Sequence, residues 1–162
     1  MNNIKIAYIA SGCFWGTEYW LKKTKGVINT TVGYSGGITE NPSYEDICTG
    51  TTGHAETAKV EYDPRLTDYE TILKKFFETH DPSQTNRQGP DIGTQYRSAI
   101  FYQTEEEKEI AYRVIDLLKD KGINSVTEVV IFNKFWEAEN YHQNYYSKKG
   151  QIPYCHIYQK KF

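Results

Sequence analysis

The chain has 162 residues, enough for one domain with a substantial core and no need of disulfide staples. Nineteen basic against twenty-one acidic residues leave a net charge of −2, which argues against nucleic acid or an anionic membrane as partner. Three cysteines (Cys13, Cys48 and Cys155) with no CxxC pair argue against both a disulfide scaffold and a zinc site.

The first residues, Met1-Asn2-Asn3-Ile4-Lys5, lack the apolar region of a signal peptide, and no run is apolar enough to span a membrane. A cytoplasmic, reducing setting is expected, with no bound metal. Residues 4–10 are apolar and rich in β-branched side chains, which predicts a strand. Residues 18–23 then read as a helix stopping at Gly26. Between them lies Ser11-Gly12-Cys13-Phe14-Trp15-Gly16. Cys13 is thus expected at a strand-to-helix turn, where unpaired N–H groups and the helix dipole favour a thiolate. Two glycines and two aromatics around one thiol favour a chemical role over a merely buried cysteine.

Residues 27–32 predict a second strand, broken by the glycine-rich Gly33-Tyr34-Ser35-Gly36-Gly37. That loop lacks the spacing of a phosphate-binding or dinucleotide-binding motif. Residues 44–48 read as a short helical turn ending at Gly50, with Cys48 as a packing residue. Residues 54–62 predict a third strand with Ala58, Val60 and Tyr62 on its apolar face. Glu56 falls on that same face. A carboxyl there is desolvated, its pKa rises and it becomes a proton donor at neutral pH. The other reading leaves Glu56 in water at a frayed strand end.

Thr67-Asp68-Tyr69-Glu70 predicts a capping box, followed by a helical face of Tyr69, Ile72, Leu73, Phe76 and Phe77 ending near His80. Residues 83–95 show no periodicity, and a loop of that length in a compact domain is usually functional or disordered. It delivers Asp91 and Tyr96 to the start of a fourth strand, residues 96–102. Thr104-Glu105-Glu106-Glu107 predicts a second capping box and a helix closed by Gly122, with Ile110, Ala111, Val114, Ile115, Leu117 and Leu118 inward. A fifth strand is expected over 127–132, a helix over 139–149 and a tail over 150–162. The order β-α-β-β-α-β is that of an α+β fold, a ferredoxin-like split βαβ two-layer sandwich with an irregular C-terminal extension. The whole chain, 1–162, reads as a single catalytic domain, its core about 1–139 and its C-terminal helix and tail about 140–162.

Gly12-Cys13-Phe14-Trp15-Gly16 resembles the signature of the peptide methionine sulfoxide reductase A family. The resemblance continues through Gly33-Tyr34-Ser35-Gly36-Gly37, Asn41-Pro42-Ser43-Tyr44, Thr52-Gly53-His54-Ala55-Glu56 and His80-Asp81-Pro82. It extends through Gln88-Gly89-Pro90-Asp91-Ile92-Gly93-Thr94-Gln95-Tyr96-Arg97-Ser98 and on to Tyr141-His142-Gln143. It implies Cys13 as nucleophile, Phe14 and Trp15 as methyl-binding aromatics, and Tyr44, Glu56, Asp91 and Tyr96 on the oxygen side. It also implies the S epimer of methionine sulfoxide, free or in oxidised proteins, as substrate, with repair of oxidative damage as the role. The Cys13 sulfenic acid so formed would be reduced by thioredoxin or another dithiol, with no bound cofactor and a monomeric enzyme.

Tyr154-Cys155-His156 resembles the segment that carries a resolving cysteine in many members, although the glycine-rich run and further cysteine of some members are missing. The apolar residues around Cys155 equally fit an edge strand in which the thiol is only packed. A peroxidase fits the aromatic and acidic residues less well. A nucleic-acid-binding module is disfavoured by the balanced charge.

Overall fold

The computed structural model describes residues 3–153 and 156–162. β1 (Lys5–Ser11) leads into α1 (Phe14–Lys22), β2 (Val27–Ser35) and the short α2 (Tyr44–Cys48). β3 (Ala55–Tyr62) and α3 (Tyr69–Glu78) follow, then the two-residue strands β4 (Arg87–Gln88) and β5 (Asp91–Ile92). β6 (Ser98–Tyr102), α4 (Glu105–Asp120), β7 (Glu128–Ile131), β8 (Phe135–Glu137) and α5 (Tyr145–Lys149) complete the chain.

The main sheet has the order β7-β6-β1-β3-β2-β8. Its middle four strands form the split βαβ arrangement, since α1 joins β1 to β2 while β3 lies antiparallel between them. Likewise α3 joins β3 to β6 while β1 lies between. The alternation of each strand decides its layer. Ala7, Ile9, Ala58, Val60, Tyr62 and Ile100 face Leu21, Ile72, Leu73, Phe76, Phe77, Val114 and Leu118 from the helices. The opposite face carries Tyr8, Ala10, Ala55, Ala99 and Phe101, covered by Phe132 and Phe135.

This antiparallel pairing brings the end of β1, the end of β2, the start of β3 and the start of β6 to one edge. Tyr34 sits opposite Glu56, and Ser11 opposite Ser98. Three helices pack on the other layer, and α1 opens at that same edge.

Several elements differ from expectation, each for a tertiary reason. β2 does not stop at Gly33 but runs on to Ser35, because the unforeseen β8 pairs with Gly33, Tyr34 and Ser35. The α3 cap is Asp68, which accepts from Thr71 N at 2.8 Å, and not Thr67. Thr67 is already used in the preceding turn, donating its backbone N–H to Asp63 O. At α4, Thr104 accepts from Glu107 N, but the Glu107 carboxylate reaches back to Gln103 N instead of closing the box on Thr104. Leu117 points outward at 37% exposure. The stretch 83–95 holds the β4–β5 hairpin, and a 3₁₀ turn (Thr94–Tyr96) delays β6 to Ser98.

The last short helix expected over 139–149 is broken in two. A 3₁₀ turn (Asn140–His142) is followed by extended Gln143, left-handed Asn144 at φ 55°, and only then α5. Gln143 uses its amide to bridge Val32 N and Val32 O, substituting for a strand neighbour at 2.8 and 2.9 Å. Bonds to buried polar groups outweigh the modest helix preference of this segment. The described residues after α5 have no regular structure, and Gln159 N and Lys161 N bond to Glu78.

Candidate active site

Gly12 turns the chain out of β1 with φ +99°, a region that side chains with a Cβ rarely adopt. Cys13 is then the N-cap residue of α1, 7% exposed, and its carbonyl accepts from Gly16 N and Thr17 N at 3.1 and 3.3 Å. The next N–H, that of Phe14, donates across 42 residues to Glu56 Oε1 at 3.2 Å. Glu56 thereby occupies the open N-terminus of the helix that begins beside Cys13. One bond joins the two.

Glu56 lies on the helix-facing side of β3, 1% exposed. Burial, aided by the charge of Asp91 and opposed by the Phe14 N–H, pushes its carboxyl up to about 8. The frayed-end alternative is thus ruled out. Glu56 Oε2 has no hydrogen-bond partner among the described residues. A neutral glutamic acid here accepts with Oε1 and keeps an O–H on Oε2 to give away.

Tyr44 opens α2 and Tyr96 ends the 3₁₀ turn, both half-buried. Burial, then Glu56, hold both phenols well above their ordinary value; Tyr44 also feels Tyr96 and Cys48, and Tyr96 feels Asp91 and Cys13. They are neutral O–H donors. Asp91 sits in the hairpin opposite Gln88. Cys13, Glu56, Asp91, Tyr44 and Tyr96, from five separate stretches of chain, therefore share one electrostatic neighbourhood.

Phe14 is fully buried, 5.7 Å from the Tyr34 ring and 5.2 Å from the His142 ring. Trp15 is half-buried and stacks on Tyr145 with ring centroids 3.7 Å apart and 8° between planes. Its indole N–H donates to His142 Nδ1 at 3.0 Å. Burial lowers the His142 pKa, so the ring is neutral and its proton lies on Nε2. Tyr44 packs on the same imidazole at 4.4 Å.

Several of these supports were not singled out from the sequence. His142 lay in a quoted motif, and the tyrosine-rich run after it was the signal for Tyr145. Glu139, which accepts from Tyr34 OH at 3.0 Å and Tyr44 N at 2.8 Å, carried no local signal at all. Cys48 is also misplaced by the packing expectation: it is exposed, and its thiol is a hydrogen-bond neighbour of the Tyr44 hydroxyl. Cys155 lies outside the described residues.

The residue after it, His156, is 1% exposed, with Nε2 2.5 Å from Ser11 O and its carbonyl accepting from Trp20 Nε1 at 2.7 Å. Its ring fills the space a side chain at Gly16 would need. A Cβ there would lie 2.1 Å from His156 Nδ1. Gly16→Ala is expected to lower stability by about 1–3 kcal/mol through overpacking, visible as a lower melting temperature, whereas Thr24→Ala, at a partly exposed position just after α1, should change it far less.

No group of three or more metal-binding side chains occurs among the described residues, and no described helix is long and apolar enough to cross a membrane. A family profile described as peptide methionine sulfoxide reductase matches residues 5–162. The chain is 48% identical over 155 residues to the peptide methionine sulfoxide reductase MsrA of Sulfolobus acidocaldarius, covering 95% of this chain and 88% of that one. Among solved structures, reduced Mxr1 from Saccharomyces cerevisiae superposes with a TM-score of 0.89 at 34% identity, covering 96% of this chain and 92% of Mxr1. The complex of the same yeast protein with Trx2 superposes at 0.64 and 24% identity, covering 96% and 90%.

Proposed function

The chain belongs to the peptide methionine sulfoxide reductase family and reduces methionine sulfoxide by thiol chemistry, and we propose that Cys13 is its nucleophile and Glu56 its proton donor. The observation that carries this assignment is the Phe14 N–H to Glu56 bond, which sets a protonated acid beside the thiol. Phe14 and Trp15 form the apolar wall that receives the methyl group of the substrate. Tyr44, Tyr96 and Glu56 hydrogen-bond the sulfoxide oxygen, and burial, with the nearby charge of Asp91, keeps Glu56 protonated.

The Cys13 thiolate attacks the substrate sulfur while Glu56 delivers its proton to the oxygen. The S–O bond breaks and the oxygen leaves as hydroxide, with the substrate sulfur bonded to Cys13 Sγ. Hydroxide then adds to Sγ, the S–S bond breaks with its electron pair going to the substrate sulfur, and methionine leaves while Cys13 holds the sulfenic acid. Placed donors are worth ~3 kcal/mol each when aligned on developing charge. The S epimer, in free or peptide-bound form, is the substrate we assign.

Cys155 resolves the sulfenic acid in this reading: its thiol displaces hydroxide, water is released, and a Cys13–Cys155 disulfide forms. Support comes from His156, the next residue, whose ring rests on the Gly16 backbone three residues from Cys13. A thioredoxin-like dithiol then reduces the disulfide; the yeast relative Mxr1 forms a complex with Trx2. We further place the protein in the cytoplasm as a monomer.

Mass spectrometry after one turnover without reductant tests the assignment. Wild type should yield one methionine per chain and a Cys13–Cys155 disulfide. Cys155→Ser should also yield one, stop as a Cys13 sulfenic acid trapped by dimedone, and lose recycling by thioredoxin while small thiols still turn it over. Wild type that keeps the sulfenic acid with Cys155 alkylatable would make this a one-cysteine enzyme. Oxygen found on another residue would remove Cys13 as nucleophile.

A further inference from the structure

Glu18 is a carboxylate on the inner side of α1 that the reaction does not use. It is 2% exposed. Its two oxygens are both engaged: Oε2 accepts from Thr30 Oγ1 on β2 at 2.9 Å, and Oε1 accepts from the backbone N–H of Asn144 at 2.6 Å. Among the described residues no cation donates to it, although the charges of Lys22 and Lys148 act on it from a distance. Nothing in the needs of a buried helix face explains a carboxylate there, because an apolar side chain would avoid the cost of desolvation.

The reason lies in what Asn144 does. It stands in the left-handed region and reverses the chain between His142 and Tyr145. Those two residues flank Trp15, one accepting its indole N–H and the other stacked on its face. Trp15 and Glu18 are three residues apart on α1 and line a common crevice with Asn144 and Tyr145. Two groups converge on one side chain, the Asn144 N–H and the Thr30 hydroxyl, and a forked side chain of this length with two polar atoms satisfies both. Lys22, one turn further along the helix, holds the Asn144 side-chain oxygen at 2.6 Å, so α1 grips this residue twice.

We propose that Glu18 is a positioning residue for substrate: by fixing the Asn144 N–H it sets the Tyr145 ring against Trp15 and so defines the width of the methyl pocket. This rests on the assignment of Trp15 to that pocket. The side-chain bonds of Glu18 and Asn144 run to Thr30, to Lys22 and to each other, and to neither Glu56 nor the two oxygen-side tyrosines. Loss of Glu18 is therefore felt in the capture of substrate and not in the chemical step.

Three variants test it, Glu18→Gln, Glu18→Asp and Glu18→Ala, with initial rates measured at a temperature where each is fully folded. Glutamine keeps both bonds, because its oxygen can accept from Asn144 N while its amide donates to the Thr30 hydroxyl, so KM should stay within about twofold of wild type. Aspartate is one methylene too short to reach both, and alanine reaches neither. Both should raise KM about tenfold, the scale of a lost buried hydrogen bond to a charged group, with kcat for the first turnover within about twofold.

If Glu18→Ala does not fold, Glu18→Asp carries the test alone. An unchanged KM in Glu18→Asp, or equal losses in kcat and kcat/KM, would overturn the proposal. So would a glutamine variant as poor as aspartate, since that would make the charge and not the bonding geometry decisive. Trp15→Ala separates this from the pocket assignment. A raised KM there with normal KM in Glu18→Asp removes only the role of Glu18, whereas normal KM in Trp15→Ala removes the pocket itself.

Discussion

Cys13→Ser should abolish sulfoxide reduction while leaving the fold and melting temperature close to wild type. The side chain caps nothing in α1, which has no side-chain bond from its N-cap residue. What positions the helix is the Cys13 carbonyl and the Glu56 contact with Phe14 N, and both survive the substitution. A serine hydroxyl remains protonated at neutral pH where a thiol ionises, and oxygen is a far poorer nucleophile toward sulfur. Loss of a nucleophile costs on the order of 10⁴–10⁶ in turnover, so residual activity should not exceed background. The measurement is methionine formed per chain in a single turnover with excess enzyme. Activity within tenfold of wild type, roughly a 1.4 kcal/mol change, would move the nucleophile elsewhere, and exposed Cys48 beside Tyr44 is then a candidate together with Cys155.

Glu56→Gln should slow the first turnover by about 10²–10⁴, the usual scale of a lost general acid, with little change in substrate affinity. Glutamine can still accept from Phe14 N, so the helix start is preserved and only the transferable proton is gone. The pH dependence distinguishes this from a structural effect. With the carboxyl pushed up to about 8, wild-type activity requires its protonated form and falls as pH rises through that value. Glu56→Gln should lack that limb.

Stability runs with the same sign. A group whose folded pKa is raised holds its proton in the folded state when the unfolded state has released it. Its contribution is fully present below the ordinary carboxylate value and is lost as pH rises through about 8. Glu56→Gln, which has no proton to lose, should therefore gain in melting temperature relative to wild type between about pH 5 and pH 9. A variant with wild-type single-turnover rates, or with an unaltered alkaline limb, would leave Glu56 structural and pass the proton to Tyr44 or Tyr96.

Much of the fold follows from periodicities that local sequence carries. The period-two alternation of Ala58, Val60 and Tyr62 and the helical face of Tyr69, Ile72, Leu73, Phe76 and Phe77 are both buried as they read. Extending the same alternation two residues back placed Glu56 on the core side, because face is a property of parity and needs no knowledge of the partner strand. Failures cluster where partners decide. β8 is three residues long and exists because β2 offers it an edge. The α3 cap is Asp68, one residue later than Thr67, because the helix begins at Tyr69 after the turn that Asp63 closes on Thr67 N.

The site divides the same way. Cys13 at a strand-to-helix turn, Glu56 on an apolar face and Asp91 and Tyr96 in an aperiodic loop were legible in the residues themselves, and family resemblance alone picked Tyr44 from fourteen tyrosines. Only the tertiary structure joined Phe14 N to Glu56, set His142 and Tyr145 around Trp15, and broke a helical stretch at Asn144 to do so. Hydrophobic pattern and backbone preference act between neighbours in sequence, so they are written locally. A hydrogen bond between Asn144 and Glu18, 126 residues apart, depends on where two elements finally meet, and no local pattern encodes it.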